Sequence, residues 1–98
     1  MAVIRTVRFE VAPADVEEMI ARRNTLVAAV RNAFPGLTEA RLARVSDQVW
    51  IDSWRWESAA SKDAALQAVA TGALPEAGPA FALAGNLTGE SAEIVDER

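Results

Sequence analysis

The sequence predicts a single α+β domain that spans residues 1–98. Three observations predict it: strand-like and helix-like segments alternate along the chain, 98 residues suit one hydrophobic core, and 51% of the residues are hydrophobic against 24% charged. This balance is typical of a globular protein and excludes a disordered chain. Because the chain has no Cys, we expect it to fold without disulfides.

The first part of the chain predicts a strand and a long helix. Apolar and polar residues alternate from Val3 to Val11, which is typical of a half-buried strand. The apolar face of this strand holds Val3, Val7, Phe9 and Val11. Pro13 suits the first turn of a helix, and Asp15 with Glu18 has the spacing of a capping box. Apolar residues then recur at three- and four-residue steps until Phe34-Pro35-Gly36 ends the helix: Val16, Met19, Ile20, Leu26, Val27, Val30 and Phe34.

The middle of the chain predicts a β-hairpin followed by a second helix. Leu37 to Val45 and Val49 to Glu57 have the composition of strands, and Ser46-Asp47-Gln48 forms the turn between them. Ser58 can cap the second helix, which we expect to continue to Ala70.

The last part of the chain completes the predicted order of elements. The apolar segment from Leu74 to Leu83 contains two prolines and a glycine, so it predicts a short helix or a broken turn. We expect a loop from Gly85 to Gly89 and a last strand from Ser91 to Glu97. The resulting order, β-α-β-β-α-β, is typical of a ferredoxin-like fold, in which four antiparallel strands carry both helices on one face.

The third predicted strand has bulky residues on both of its faces. Trp50, Trp54 and Trp56 lie on one face with Asp52, whereas Val49 and Ile51 lie on the other. The helices can cover only one of these faces. We therefore expect a second copy of the chain to cover the other face, which predicts a homodimer.

The composition excludes several classes of function. Without His or Cys, the chain cannot form a Ser-His-Asp triad, a zinc hydrolase site or a His-ligated haem site, and we expect neither a metal nor a cofactor. A net charge of −4 and scattered arginines argue against nucleic acid as a partner. No apolar run reaches the ~20 residues that span a bilayer, and no signal peptide is recognisable, so we expect a cytoplasmic protein without a membrane partner.

Two short motifs resemble those of a known family. Phe34-Pro35-Gly36-Leu37 follows the long first helix, and Trp56-Glu57-Ser58 ends the third strand. In this order and at this spacing, the motifs resemble the antibiotic biosynthesis monooxygenase domain, a family of dimeric α+β barrels. The resemblance covers nearly the whole chain. It implies that two subunits pair their sheets into one barrel, and that each subunit has a pocket between its sheet and its helices.

The same resemblance implies functions and site residues. Some members of the family oxygenate aromatic polyketides without metal or flavin, whereas others degrade haem through a His that has no counterpart here. In the polyketide oxygenases, the third strand carries Asn-x-x-x-Trp-Glu-Ser, and its Asn and Trp bind the substrate. The Trp corresponds to Trp56, but the Asn is replaced by Asp52 and a following Tyr is replaced by Lys62.

These residues predict a candidate site on the third strand. Asp52 would accept a proton from an aromatic, polyketide-like substrate, and the Trp56 Nε1–H would stabilise the resulting oxyanion. Trp50 and Trp54 would line the pocket, and Lys62 and Asn86 would contact the substrate from outside the strand. Desolvation would disfavour the ionised form of Asp52, unless a nearby arginine opposes this by pairing with it; the candidates are Arg5, Arg41 and Arg44.

Each part of this site has a simpler interpretation. The tryptophans are equally explained as core residues, Lys62 as a solvated surface charge and Asn86 as a turn residue. Three functions therefore stay open: a cofactor-independent monooxygenase, a non-catalytic small-molecule-binding protein, and a structural homodimer without a ligand.

Overall fold

A computed structural model describes all residues, 1–98, and contains one four-stranded sheet with its helices on one side. The elements are β1 (Val3–Glu10), a 3-10 turn (Pro13–Asp15), α1 (Val16–Ala33), β2 (Leu37–Arg44), β3 (Val49–Trp56), α2 (Ala59–Ala70), α3 (Ala77–Ala82) and β4 (Gly85–Glu93). The strand order is β2-β3-β1-β4, and every neighbouring pair is antiparallel. The predicted α+β ferredoxin-like fold is confirmed. None of the helices is both long enough and apolar enough to cross a membrane.

The two central strands, β1 and β3, form the floor on which the helices pack. Their helix-facing side chains form rows across the sheet: Val3 with Trp56, Arg5 with Trp54, Val7 with Asp52, and Phe9 with Trp50. Both ends of this floor are therefore apolar, and the middle rows contain two charged residues.

The hydrophobic core is divided in the same way. A larger cluster surrounds Val3 and Trp56 and includes Leu26 and Val30 of α1. A smaller cluster at the opposite end of the strands contains Phe9, Val11, Met19 and Trp50. Since α1 contributes residues to both clusters, its middle turns lie above the gap between them.

The start of α1 differs from the prediction, whereas the start of α2 agrees with it. Pro13 begins a 3-10 turn, and Asp15 makes no side-chain capping bond, so the predicted capping box with Glu18 is wrong. The reason is that Asp15 has φ −100° and ψ 0° within that turn, rather than the extended conformation of a capping residue. Ser58 has that conformation, and its Oγ accepts a hydrogen bond of 3.1 Å from the Ser61 N–H.

The last strand also differs from the prediction. β4 begins at Gly85 and ends at Glu93, so the predicted loop from Gly85 to Gly89 and the predicted strand from Ser91 to Glu97 are both displaced. β4 pairs with β1 from Val3–Glu93 to Glu10–Gly85, and these ladder bonds outweigh the low strand propensity of its glycines. The ladder is irregular near Asn86, whose φ of 50° is one that Asn tolerates. The short helix predicted within Leu74–Leu83 is present as α3.

The turn between α1 and β2 requires a residue without a side chain. Gly36 is buried, and a Cβ added there would lie 2.7 Å from both Cβ and Oγ of Ser61, in the first turn of α2. The turn and α2 therefore approach more closely than any other residue would allow. This close contact explains why the Pro35-Gly36 motif has glycine at its second position.

The sheet face opposite the helices carries both apolar and charged residues. Ile4, Val49 and Ile51 lie there and are half-buried. On this face, Arg55 near the end of the central strand β3 makes two bonds to Glu97, Nε to Oε1 at 2.5 Å and Nη2 to Oε2 at 2.7 Å. The hydrogen bond from Arg55 lowers the pKa of Glu97, and the same bond raises the pKa of Arg55. The C-terminal segment that follows β4 is thereby bonded to a central strand on this face.

Candidate functional site

A cavity of about 270 Å³ lies between the helix-facing side of the sheet and the three helices. Twelve of its sixteen lining residues are hydrophobic, and they come from β1, α1, β3, α2, α3 and β4. An engineered apolar cavity of ~150 Å³ can hold benzene. The cavity therefore has the composition of a ligand site and encloses room for about two fused rings, and a third ring would project through its opening.

The opening of the cavity is marked by exposed apolar side chains. Leu66 of α2, Phe81 of α3 and Leu87 of β4 all line it, and they are 38%, 42% and 44% exposed. Large hydrophobic residues that gather at one place on the surface are typical of a binding site. These three side chains form the rim of the cavity.

The floor of the cavity contains a buried ion pair between α1 and β3. Arg23 Nη2 donates to Asp52 Oδ1 at 2.9 Å, and Arg23 Nε donates to Asp52 Oδ2 at 3.1 Å. The two side chains are 14% and 12% exposed. Two parallel bonds of this kind fix both the distance and the orientation of the charged groups.

The sequence places this pair where both partners interrupt an apolar surface. Arg23 lies one turn after Met19 and one turn before Leu26 and Val27, within the helix stripe that faces the sheet. Asp52 lies between Trp50 and Trp54 on the helix-facing side of β3. Each charge would be costly to bury alone, so each requires the other.

Arg23 is a residue that the sequence analysis missed. The partners suggested there for Asp52 were Arg5, Arg41 and Arg44, and none of them pairs with it. Arg41 bonds Glu39, and Arg44 lies over the ring of Trp50, 4.9 Å from its centroid. The signal was present in the sequence, because Arg23 is the one charged residue in phase with the apolar stripe of α1.

The three tryptophans of β3 occupy different environments. Trp54 lines the cavity and is half-buried. Trp50 and Trp56, 5% and 2% exposed, belong to the two core clusters and do not line it. The Nε1–H groups of both are buried without a hydrogen-bond partner. Of the predicted aromatic face, only Trp54 therefore meets the cavity together with Asp52.

The two remaining predicted residues lie away from the cavity. Lys62 is in the first turn of α2, and its Nζ lies 3.3 Å from an oxygen of Asp63. Asn86 is in β4 rather than in a loop, and its Nδ2 donates to the carboxylate of Glu10. Neither residue lines the cavity. No group of three or more acidic side chains that could hold a metal ion is present.

Comparison with solved structures finds proteins of the same fold. No protein-family model matches the chain, and no curated protein matches it significantly. Among solved structures, it is similar to SnoaB of Streptomyces nogalater, a cofactor-independent oxygenase, with 25% identity and a TM-score of 0.72 over 98% of this chain and 95% of that one.

Two further structures are candidate antibiotic biosynthesis monooxygenases. The one from Caulobacter crescentus is 22% identical, with a TM-score of 0.73 over 97% of this chain and 91% of that one. The one from Chloroflexus aurantiacus is 17% identical, with a TM-score of 0.69 over 100% of this chain and 97% of that one. The resemblance to the antibiotic biosynthesis monooxygenases that the sequence predicted is confirmed.

The buried ion pair predicts a strong energetic coupling between Arg23 and Asp52. Arg23→Met and Asp52→Leu should each lower the free energy of unfolding by about 3 kcal/mol, because each leaves an uncompensated buried charge. The double variant should lose much less stability than the sum of the two single losses, because it leaves no charge unpaired. Urea denaturation measures the free energy of unfolding of each variant.

Arg22→Met is the matched control for this experiment. It removes the neighbouring, more exposed pair with Glu18 and an exposed hydrogen bond to the Pro79 carbonyl, and it should lower the free energy of unfolding by about 1 kcal/mol or less. If Arg23→Met costs no more than this control, the buried pair does not stabilise the fold.

Proposed function

We propose that the protein is a cofactor-independent monooxygenase that binds a planar aromatic molecule in the cavity. The observation that carries this proposal is the Arg23–Asp52 pair, which places a base and a cation on the floor of an apolar, aromatic-lined cavity. The similarity to SnoaB, a cofactor-independent oxygenase of nearly the same length, supports it.

The proposed reaction begins with proton transfer to Asp52. A substrate with an acidic methylene between aromatic rings gives one proton to the carboxylate and becomes a carbanion. The number of charges in the cavity stays constant, because the negative charge moves from Asp52 to the substrate. Arg23, released from its ionised partner, can then pair with the oxygen over which the substrate's charge is delocalised.

The carbanion then reacts with dioxygen. The methylene carbon forms a C–O bond to dioxygen and gives a peroxide anion, which takes up the proton held by Asp52 and becomes a hydroperoxide. The hydroperoxide then loses water: its O–O bond breaks, and the hydroxide that leaves combines with the remaining proton of the same carbon. The balance is R₂CH₂ + O₂ → R₂C=O + H₂O, in which the carbon is oxidised and dioxygen is reduced. The proton held by Asp52 returns in this step, so the protein ends in its starting state.

The roles of the tryptophans follow from their positions. Trp54 supplies an aromatic wall on which the substrate can stack. The proposal assigns oxyanion stabilisation to Arg23 rather than to Trp56, because Trp56 is buried in the core beside the cavity. The ring centroids of Trp54 and Trp56 are 6.4 Å apart, so Trp56 supports the position of Trp54.

Replacement of Asp52 tests the assignment of the base. Asp52→Asn keeps the shape of the side chain and removes its ability to accept a proton, so dioxygen uptake with anthrone should fall about 100-fold. Uptake is measured with an oxygen electrode and corrected for the reaction without protein. Asp63→Asn, an exposed change of the same kind on α2, should leave the rate unchanged. Equal or faster turnover by Asp52→Asn would show that the residue only orients the substrate.

A second candidate function is binding without catalysis. Both oxygens of Asp52 already accept hydrogen bonds from Arg23, an arrangement that also suits a purely structural pair. A protein that binds anthrone but consumes no dioxygen would have this function. A protein that binds no aromatic ligand would instead be a structural module.

We also propose that the open face of the sheet packs against a second copy of the chain. Ile4, near one end of β1, and Val49 and Ile51, near the opposite end of the β1–β3 ladder, are half-buried apolar residues of this face, and the helices all lie on the opposite side. Because two such faces are self-complementary, the expected assembly is a two-fold dimer with an eight-stranded barrel between its subunits.

Sedimentation tests this dimer. At micromolar concentration, analytical ultracentrifugation should give about twice the chain mass of 10.5 kDa. A dimer that is stable at this concentration is expected to bury an interface above ~1,200 Å². Ile51→Lys should shift the mass to that of one chain, because it buries a cation beside Arg8, its neighbour on β1, at the interface. Glu17→Lys, an exposed change on α1, should not. A wild-type protein that sediments as a monomer would contradict the proposal.

A further inference from the structure

Arg5 is a charged residue of the cavity that the proposed reaction does not use. It lies on β1, between Val3 and Val7 on the helix-facing side, in the same row as Trp54 and Ser91. Its side chain lines the cavity and is half-buried. A cation in this position faces an interior whose other lining residues are mainly hydrophobic.

The charges around the cavity do not balance. Arg23 and Asp52 neutralise one another, but Arg5 makes no ion pair with any acidic side chain. Its hydrogen bond to a side chain is a long one, from Nη1 to Ser91 Oγ at 3.5 Å. The cavity therefore carries one positive charge that the protein leaves without a counter-ion, and an anion entering the cavity would pair with it.

Gly89 allows the guanidinium of Arg5 to take its position. A Cβ added to Gly89 would lie 2.6 Å from Nη2 and 2.9 Å from Cζ of Arg5, too close for any real side chain. The guanidinium therefore lies against the backbone of β4, in space that a side chain at position 89 would occupy. Because the guanidinium is the far end of a flexible side chain, a methyl group at position 89 would displace it rather than disrupt the strand.

We propose that the ligand of the cavity is an aromatic carboxylate whose anionic group pairs with Arg5. This inference rests on the proposed function in that both concern the same cavity, and it names the class of substrate. Arg5 and the row of Asp52 are two residues apart along β1, about 6.6 Å. A molecule of about two fused rings would span this distance, with its carboxylate at Arg5 and its reacting carbon at Asp52. The reverse orientation is disfavoured because Arg23, the cation at the other end, is already paired with Asp52 through two hydrogen bonds.

A pair of ligands of the same shape but different charge tests this inference. Titration calorimetry compares 2-naphthoate with neutral 2-naphthamide, neither of which carries an oxidisable methylene. The wild-type protein should bind the carboxylate at least about tenfold more tightly, as expected for a hydrogen bond between charged groups. Arg5→Gln should abolish this preference and leave the affinity for naphthamide unchanged. Arg8→Gln, which removes a charge from the open face of the same strand, should retain the preference.

Gly89→Ala provides a second test that changes no charge. Its methyl group should displace the Arg5 guanidinium, so affinity for naphthoate should fall while affinity for naphthamide is kept. Equal binding of the two ligands by the wild-type protein, binding of neither, or a preference that survives Arg5→Gln would overturn the inference. The calorimetry measures equilibrium binding without turnover, so its result is independent of anthrone oxidation. A preference for naphthoate without dioxygen uptake would support the inference and contradict the oxygenase function. Dioxygen uptake without that preference would do the opposite.

Discussion

Arg23 and Asp52 meet inside the molecule, where two opposite charges are tolerable only as a pair. One partner belongs to the long helix and the other to a central strand, so their two parallel hydrogen bonds fix the position of α1 over β3. A rotation or a shift of the helix would break both bonds and leave two buried charges unpaired. The apolar clusters at either end of the strands supply the burial that stabilises the fold, and the ion pair determines how the two layers are aligned.

The cavity is a consequence of this arrangement. The two middle rows of the sheet, Arg5 with Trp54 and Val7 with Asp52, each contain a charged residue. The apolar side chains that pack the two ends of the sheet do not cover these rows, so space remains between the clusters. That space is bounded by Trp54 and by the rim of Leu66, Phe81 and Leu87, which belong to three different elements. An apolar cavity with charged groups at defined positions can bind a molecule in one orientation. The same features that divide the core therefore give the fold a site.

Most of the fold could be predicted from the sequence, because periodicity reports which face of an element is buried. α1, α2 and the β2–β3 hairpin were found within a few residues. β4 was misplaced because its glycines and Asn86 resemble a loop, and its pairing with β1 is a long-range interaction that local propensity does not report. Asp52 and Trp54 were correctly expected to share a face. Alternation along a strand cannot show which of the tryptophans meets a cavity, since that depends on the helices above, and Trp50 and Trp56 prove to be core.

A crystal structure of the protein with 2-naphthoate would test most directly whether the gap between the two core clusters is a ligand site. The ligand should lie between the sheet and the helices, with its rings against Trp54 and its carboxylate on the guanidinium of Arg5. Arg23 and Asp52 should still be paired beneath it. A structure in which side chains fill the gap, or in which the ligand binds only elsewhere on the surface, would contradict this account.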